Sequence, residues 1–482
     1  MRVLYLDLDS MRADHFGCYG YARDTTPHMD AVAAEGIRFD RCYASDSPCV
    51  PSRAALFSGR IGLHNGVAAH WGPACQFRFP GIGHRYSRRA PMFMRHLRQH
   101  GYRTISFSSF ADRHQAFWFS SGWSELHTFT LKQGNEDANE VNDAVLPWLD
   151  LHAEEDDYFV HVHYWDPHRH YTMPASWAKR FAKEPPPGWP DAAAIERHRE
   201  TGGPFTPSEL YPWGDGKSPV QSMPDEIRNP DDFKQLVDGY DGAIRFMDEQ
   251  IGRILDLLRT KGVYEETLII ISADHGEAMG EFGVYGDHVC AAESVNRIPM
   301  ILRGPGIPQE GGARRDLICN VDLPPTLCEQ LEIPIPDGWD GRSFAGLLSG
   351  MPYDGRDQLV WSHGLYSVQR AVRTARWNFL RTYHPGLYEF EPRALYDMDA
   401  DPYQSCNVIQ EHPDIARKLE ASLESWKAEL LDERQGPDPF EAALAEGPWN
   451  YLQLDYWLER LRSHGRNDRA AAIHDRLTKW PG

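Results

Sequence analysis

The chain has 482 residues, of which 41% are hydrophobic and 12% aromatic; that is more than one ordinary core takes, so a large domain with a smaller one is expected and a small disulfide-stapled module is excluded. Lys and Arg number 50 against 70 Asp and Glu, a net charge of −20. Such a balance opposes long-range attraction to a polyanion and argues against general nucleic-acid binding, while leaving room for a local cationic pocket.

The first element in the chain is a strand, RVLYLDLD. Its alternation places Val3, Tyr5, Asp7 and Asp9 on one face and the leucines on the other. The opening MRVLYLDLDS is patterned as a strand without a signal-peptide core, and no run approaches the roughly 20 apolar residues of a membrane span. A cytoplasmic protein with no membrane partner is therefore expected.

The next informative segment is Cys49-Val50-Pro51-Ser52-Arg53, followed by Ser58-Gly59-Arg60. Pro51 and the helix-forming run after it predict a helix beginning just after Cys49 and ending near Gly59. Cys49 would then sit at a helix N-terminus, where free N–H groups and the positive dipole end favour an anion and lower a thiol pKa, with Arg53 one turn along. The other cysteines, Cys18, Cys42, Cys75, Cys290, Cys319, Cys328 and Cys406, have no zinc-site spacing and read mostly as reduced, buried, small apolar residues.

Further strands follow at YRTISFSS, DYFVHVHYWDPH, TLIIISADHGE and IPMILRGPG. Residues 171–230, rich in Pro, Trp and Gly, read as a substrate-shaping insertion. Its tryptophans Trp177, Trp189 and Trp213, with nearby Trp165, suit stacking on a sugar or aryl ring, or a hydrophobic lid. A long helix then carries Ile244, Met247, Ile251, Ile254 and Leu258 at three- and four-residue spacing and stops at Lys261-Gly262. After Gly350 short strand-like pieces give way to Glu/Lys/Leu-rich helices, the pattern of an α+β subdomain with a helical tail. Within that tail, GPWNYLQLDYWLERLRSHG offers aromatic surface either to a second copy of the chain in a homo-oligomer or to packing on the same chain.

The overall rhythm is α/β: a large mixed, mostly parallel sheet sandwiched by helices. In such sheets functional groups collect at the carboxyl ends of strands. Asp9, Ser109, His168, Asp274 and His275 all fall there.

The run Cys-x-Pro-Ser-Arg with the later Ser-Gly-Arg resembles the signature of the type I sulfatases of the alkaline phosphatase superfamily. LDLDSMRADHFGCYGY, DPHRHY, SADHGEAMGEFGVYGDH, RIPMILRGPGI and VDLPPTL are similar to further landmarks of that family in the same order. The resemblance implies an alkaline-phosphatase/sulfatase-like catalytic domain over 1–350 and the C-terminal subdomain over 351–482. It also implies that a maturation enzyme oxidises Cys49 to formylglycine, whose hydrate attacks the sulfur of a sulfate ester and then releases sulfate from the hemiester.

By the same resemblance, Asp9 matches a metal ligand, and Asp274 with His275 matches the second ligand pair. The family's next acidic ligand falls on Ser10, so Asp7 either supplies the missing oxygen or has a structural place in the sheet. Oxygen ligands point first to Ca²⁺ or to Mg²⁺, and His275 in place of the usual Asn leaves room for Mn²⁺. His168 matches the sulfate-contacting histidine. His288 follows Asp287, which stands where the family usually has a Lys. The family's Gly-Lys-Trp-His stretch is also absent: Ser109 and Ala111 occupy the Lys and His places, so Arg113 is expected to supply the substrate-binding cation and His114 the base. Arg53 would stabilise charge at the nucleophile, and His168 or His288 would protonate the leaving alcohol.

The expected activity is hydrolysis of sulfate monoesters, foremost of a sulfated carbohydrate. A phosphonate monoester or phosphodiester hydrolase on the same fold is the alternative. A metal-bound carbohydrate-recognition protein in which Cys49 stays a thiol is the non-enzymatic one.

Overall fold

Strand Arg2–Leu8 lies between Tyr158–Tyr164 and Thr267–Ala273 and is parallel to both. All three are buried on both faces along nearly their whole length, which is why they read as almost continuous apolar runs. They form the centre of an eight-stranded sheet in the order Gly312–Arg314, Ile37–Phe39, Met300–Arg303, Thr267–Ala273, Arg2–Leu8, Tyr158–Tyr164, Arg103–Phe107, Glu125–His127. Met300–Arg303 runs antiparallel to both of its neighbours, so the sheet is mixed but mostly parallel. The computed structural model describes residues 1–78, 89–171, 173–220, 222–309, 311–351, 353, 355–433, 437–448 and 453–479.

Register turns this topology into a site. Asp7 stands beside His163 on one side and Ser272 on the other, and Leu8 beside Tyr164 and Ala273. The residues that continue these three strands, Asp9, Trp165 and Asp274, therefore emerge together at one edge of the sheet. The long helix Pro230–Thr260 covers the sheet; Asn229 caps it by accepting from Asp231 N and Asp232 N, and Pro230 takes the first-turn position where no N–H is missed. Its buried stripe includes Ile244, Met247, Ile251, Ile254 and Leu258, as the spacing predicts. Among the described residues no helix is long and apolar enough to cross a membrane.

A second sheet follows the order Arg393–Asp397, Trp377–His384, Val368–Thr374, Gln358–His363, Asp46–Ser47. Four strands come from beyond residue 350, but the edge strand Asp46–Ser47 is supplied by the segment just before Cys49 and pairs in parallel with Gln358–His363. The smaller sheet is thus completed by the larger region. The helix Pro413–Glu433 packs Ala416, Leu419 and Leu423 against it.

His64 ties the two regions together. Its Nδ1 is 2.8 Å from Asp340 Oδ1 and its Nε2 is 3.1 Å from the Leu430 carbonyl oxygen, two acceptors that only a doubly protonated ring can satisfy. Burial lowers its pKa, but the hydrogen bond to Asp340, that carboxylate's charge and the Leu430 carbonyl together raise it more, so the net shift is upward from 6.5. A raised folded-state value stabilises the protein fully below 6.5 and loses that contribution as pH rises through the raised value. Denaturation of the wild type and His64→Gln should therefore show a stability gap that narrows above pH 6.5; a gap independent of pH would contradict this linkage.

Candidate active site

The helix Cys49–Ser58 is buried along its full length and ends at Gly59, whose φ of 65° closes it in the left-handed conformation. Its N-terminus points into the sheet edge where Asp9 and Asp274 emerge. Cys49 Sγ lies 3.1 Å from His275 Nε2. One turn on, Arg53 donates from Nε to Asp7 Oδ2 at 3.0 Å and from Nη1 to Asp9 Oδ2 at 3.0 Å, with a further bond from Nη1 to Asp274 Oδ2. One guanidinium so holds three fully buried carboxylates, with the Phe110 ring 4.9 Å away.

Behind them stands a layer of imidazoles. His161 Nε2 is 3.1 Å from Asp7, and His163 Nε2 is 3.3 Å from Asp9. Their Nδ1 atoms meet Ser106 Oγ and Ser108 Oγ at 2.9 and 3.0 Å. Period-two alternation on neighbouring parallel strands produces this ladder.

Ligand atoms of Asp9, Cys49, Asp274 and His275 all lie within 4.8 Å of one another. Burial pushes both carboxyls up. Arg53 brings Asp9 well below the ordinary range, whereas Asp274, with Asp9 and Asp7 beside it, stays well above. Three buried carboxylates against one guanidinium leave negative charge uncompensated, and the oxygen-plus-imidazole donor set of Asp9, Asp274 and His275 fits a divalent cation.

Asp7 is not brought into this group. It sits two residues down its strand, where Oδ2 is taken by Arg53 and His161 and Oδ1 has no partner among the described residues. Ser10, in place of the family's second acid, instead orients the carboxylates: its backbone N donates to Asp274 Oδ1 at 3.1 Å and its hydroxyl to Asp9 Oδ1 at 2.9 Å. The expected lowering of the Cys49 thiol pKa is also reversed. Burial, then Asp9 and Asp274, push it well above 9.0, outweighing the helix end and Arg53.

A cavity of about 570 Å³ opens over Cys49, and Arg113, His114, His168 and His288 all line it. Arg113 and His114 are carried by the short helix Phe110–His114, while Ser109 turns away to Glu136 and Trp165. Arg113 lies over the Trp165 ring at 5.1 Å. Cys49, His168 and His288 have side-chain atoms within 4.8 Å of one another.

The histidines are split electrostatically. Burial and Arg113 lower His114 to about 3, and burial also holds His168 well below 6.5. For His288 burial is overcome by Asp287 and Glu277, the latter 3.2 Å from Nδ1, and its pKa rises to about 9. At neutral pH His114 is therefore neutral and His288 protonated, opposite states that their opposed environments produce. Between the two expected proton donors, this favours His288 over His168.

Sequence reasoning missed three residues here, Glu277, His70 and Trp71. Glu277, three residues after Asp274, was legible only as part of the DHGE run. His70 lines the cavity on a bend that no periodicity marks. Of the tryptophans expected to stack on substrate, Trp213 lines the cavity, joined by Trp71, which the sequence did not single out. Trp177 packs on Phe246 at 5.5 Å and Trp189 stacks on Tyr403 at 4.4 Å, so both are used in packing. In the aromatic tail Trp457 is fully buried against the same chain, and residues 449–452 lie outside the described residues.

Known proteins share this chain's sequence pattern and its fold. The sulfatase family model matches residues 2–333, and a model described as N-sulphoglucosamine sulphohydrolase, C-terminal, matches residues 280–429. The chain is 25% identical over 480 residues to an ulvan-active sulfatase of Formosa agariphila, covering 90% of this chain and 83% of that one. Its fold is similar to that of a protein solved in complex with its substrate D-glucosamine-2-N,6-O-disulfate (TM-score 0.71, 21% identity, 89% of this chain and 98% of that one). It is similar also to that of a phosphonate monoester hydrolase of Agrobacterium radiobacter (TM-score 0.69, 22% identity, 89% and 96%). The family match spans the whole main sheet and every residue of the cage around Cys49, and on it the chain belongs to the sulfatase family of the alkaline phosphatase superfamily, hydrolases of sulfuric esters.

Proposed function

We propose that this sulfatase hydrolyses sulfate monoesters of a carbohydrate at Cys49, oxidised to formylglycine by a maturation enzyme. The observation that carries the reading is Cys49 at a helix N-terminus, 3.1 Å from His275 and caged with Asp9 and Asp274 at the floor of the cavity. Carbohydrate as the substrate class is supported by Trp71 and Trp213 in the cavity lining, which suit stacking on a sugar ring, and by the substrates named for the ulvan-active relative and the glucosamine disulfate complex.

Asp9, Asp274 and His275 would hold a divalent cation, Ca²⁺ first and Mg²⁺ or Mn²⁺ as alternatives, which when bound supplies Lewis-acid polarisation of a sulfate oxygen. Converted Cys49 supplies the attacking hydroxyl. Arg53 keeps Asp9 ionised and aligns both Asp9 and Asp274. Arg113 faces the anion, neutral His114 accepts the proton from the nucleophilic side, and His288 protonates the departing alkoxide, with His168 beside His288 and Cys49.

The test is initial rate on matched aryl sulfate, phosphodiester and phosphonate monoester substrates with divalent metal present. Sulfate turnover should dominate. Dominant phosphodiester or phosphonate turnover would refute the substrate reading and favour the alternative, which Asp287 in place of a lysine makes chemically reasonable because it leaves a pocket suited to monoanions.

Metal loading has its own readout. After chelation, titration with Ca²⁺, Mg²⁺ or Mn²⁺ should stabilise the fold by about 2.7 kcal/mol at a hundredfold excess over Kd, read as a rise in the thermal midpoint. Asp274→Asn should abolish that rise; a rise that persists in the variant would place the cation elsewhere.

A further inference from the structure

The bend carrying His70 is fixed by backbone contacts, while its Nε2 has no hydrogen-bond partner among the described residues. Ala68 N and Ala69 N donate to the Ala74 carbonyl at 2.7 and 3.1 Å. Gly364 lies so close that a Cβ there would stand 2.1 Å from the Ala68 carbonyl oxygen, so only glycine lets the two segments approach. Held in this way, His70 is buried in the lining of the same cavity as Cys49, Arg113, His114, His168 and His288.

Its ring stands 4.9 Å from that of His114 at 66°. The Nε2 atoms of both rings are buried and have no hydrogen-bond partner among the described residues. Two unsatisfied ring nitrogens on residues that line one cavity are costly in a native interior, and they persist where a ligand completes them. The cavity that His70 lines carries the cation Arg113 and the protonated His288, with Asp287, which helps hold that proton on His288, as its carboxylate among the described residues. That surrounding selects an anion.

We propose that His70 is a further substrate-contacting residue, donating from Nε2–H to a peripheral oxygen of the ester's anionic group, on the bend between Gly66 and Gly72. No proton is transferred in this contact: the neutral imidazole binds the oxygen, and the charge that builds on it during attack strengthens the bond. The inference rests on the sulfate-ester reading above, because it requires a tetrahedral anion beside Cys49.

His70→Ala, His70→Gln and wild type, each metal-loaded and with Cys49 converted, are compared on an aryl sulfate and by thermal unfolding. A Gln amide N–H reaches about where Nε2–H lies. His70→Ala should lower kcat/KM about 100-fold, the size seen when one donor to a developing oxyanion is removed. His70→Gln should return to within about tenfold of wild type, and neither variant should lower the thermal midpoint. An Ala variant within about threefold of wild type, or a Gln variant as impaired as Ala, would overturn the proposal. If wild type instead turns over the phosphodiester or phosphonate, the sulfate reading fails, and the same comparison on that ester still decides whether His70 contacts the anion.

Discussion

Cys49→Ala should reduce sulfate-ester turnover by at least about 10⁴-fold while the protein stays folded. The substitution removes the thiol whose oxidative loss converts Cβ to the aldehyde and, on hydration, to the nucleophilic gem-diol, but it deletes a single buried sulfur whose nearest polar contact is His275. The stability cost should be about 1 kcal/mol, that of a small cavity. Kinetics on aryl sulfate together with the thermal midpoint separate the two effects. Turnover within tenfold of wild type would mean that the nucleophile lies elsewhere. Mass analysis of the Cys49 peptide adds an independent check, since conversion of the thiol to the aldehyde lowers the mass by about 18 Da. Without metal, burial, Asp9 and Asp274 push the pKa of an unconverted thiol up and so favour its less reactive protonated form.

Arg53→Met is expected to be the most destabilising single change in the site, by about 3–5 kcal/mol, the penalty for leaving buried charge uncompensated. The methionine fills most of the volume but withdraws donors from Asp7, Asp9 and Asp274 at once. His161 and His163 remain beside two of these carboxylates; Asp274 keeps the Ser10 backbone donor. Denaturant midpoints measured with and without divalent cation test this directly. The loss should be largest without metal and partly offset by it, because both cations neutralise the same carboxylates. A variant as stable as wild type in the absence of metal would show that the carboxylates are not held ionised by Arg53.

The two changes divide the site by function. Cys49 belongs to the chemistry and contributes little to folding, whereas Arg53 lies beneath it, joins the helix to the central strands and keeps the ligand carboxylates in register. A cage built this way is rigid before substrate arrives, which is what electrostatic stabilisation of a developing charge requires.

The local elements and the identity of most of the cage were legible in the sequence by itself. Pro51 and Gly59 bound the helix that carries Cys49, apolar runs mark the central strands, and polar residues at their carboxyl ends nominate Asp9, Asp274 and His168. These properties are local, set by period and by turn chemistry, and a single sequence records them. Tertiary structure alone decided the rest. Strand order and register determined that Arg53 would face three carboxylates and that Asp7 would lie beneath the ligand group. Burial beside Asp9 and Asp274 reversed the shift expected for the Cys49 thiol, and the pairing of His288 with Glu277 set it apart from His114. The edge strand Asp46–Ser47 and the His70 bend also depend on contacts with residues hundreds of positions away, at Gln358–His363 and Gly364. Desolvation and charge coupling arise from which distant groups are brought together, and periodicity along the chain carries no record of that.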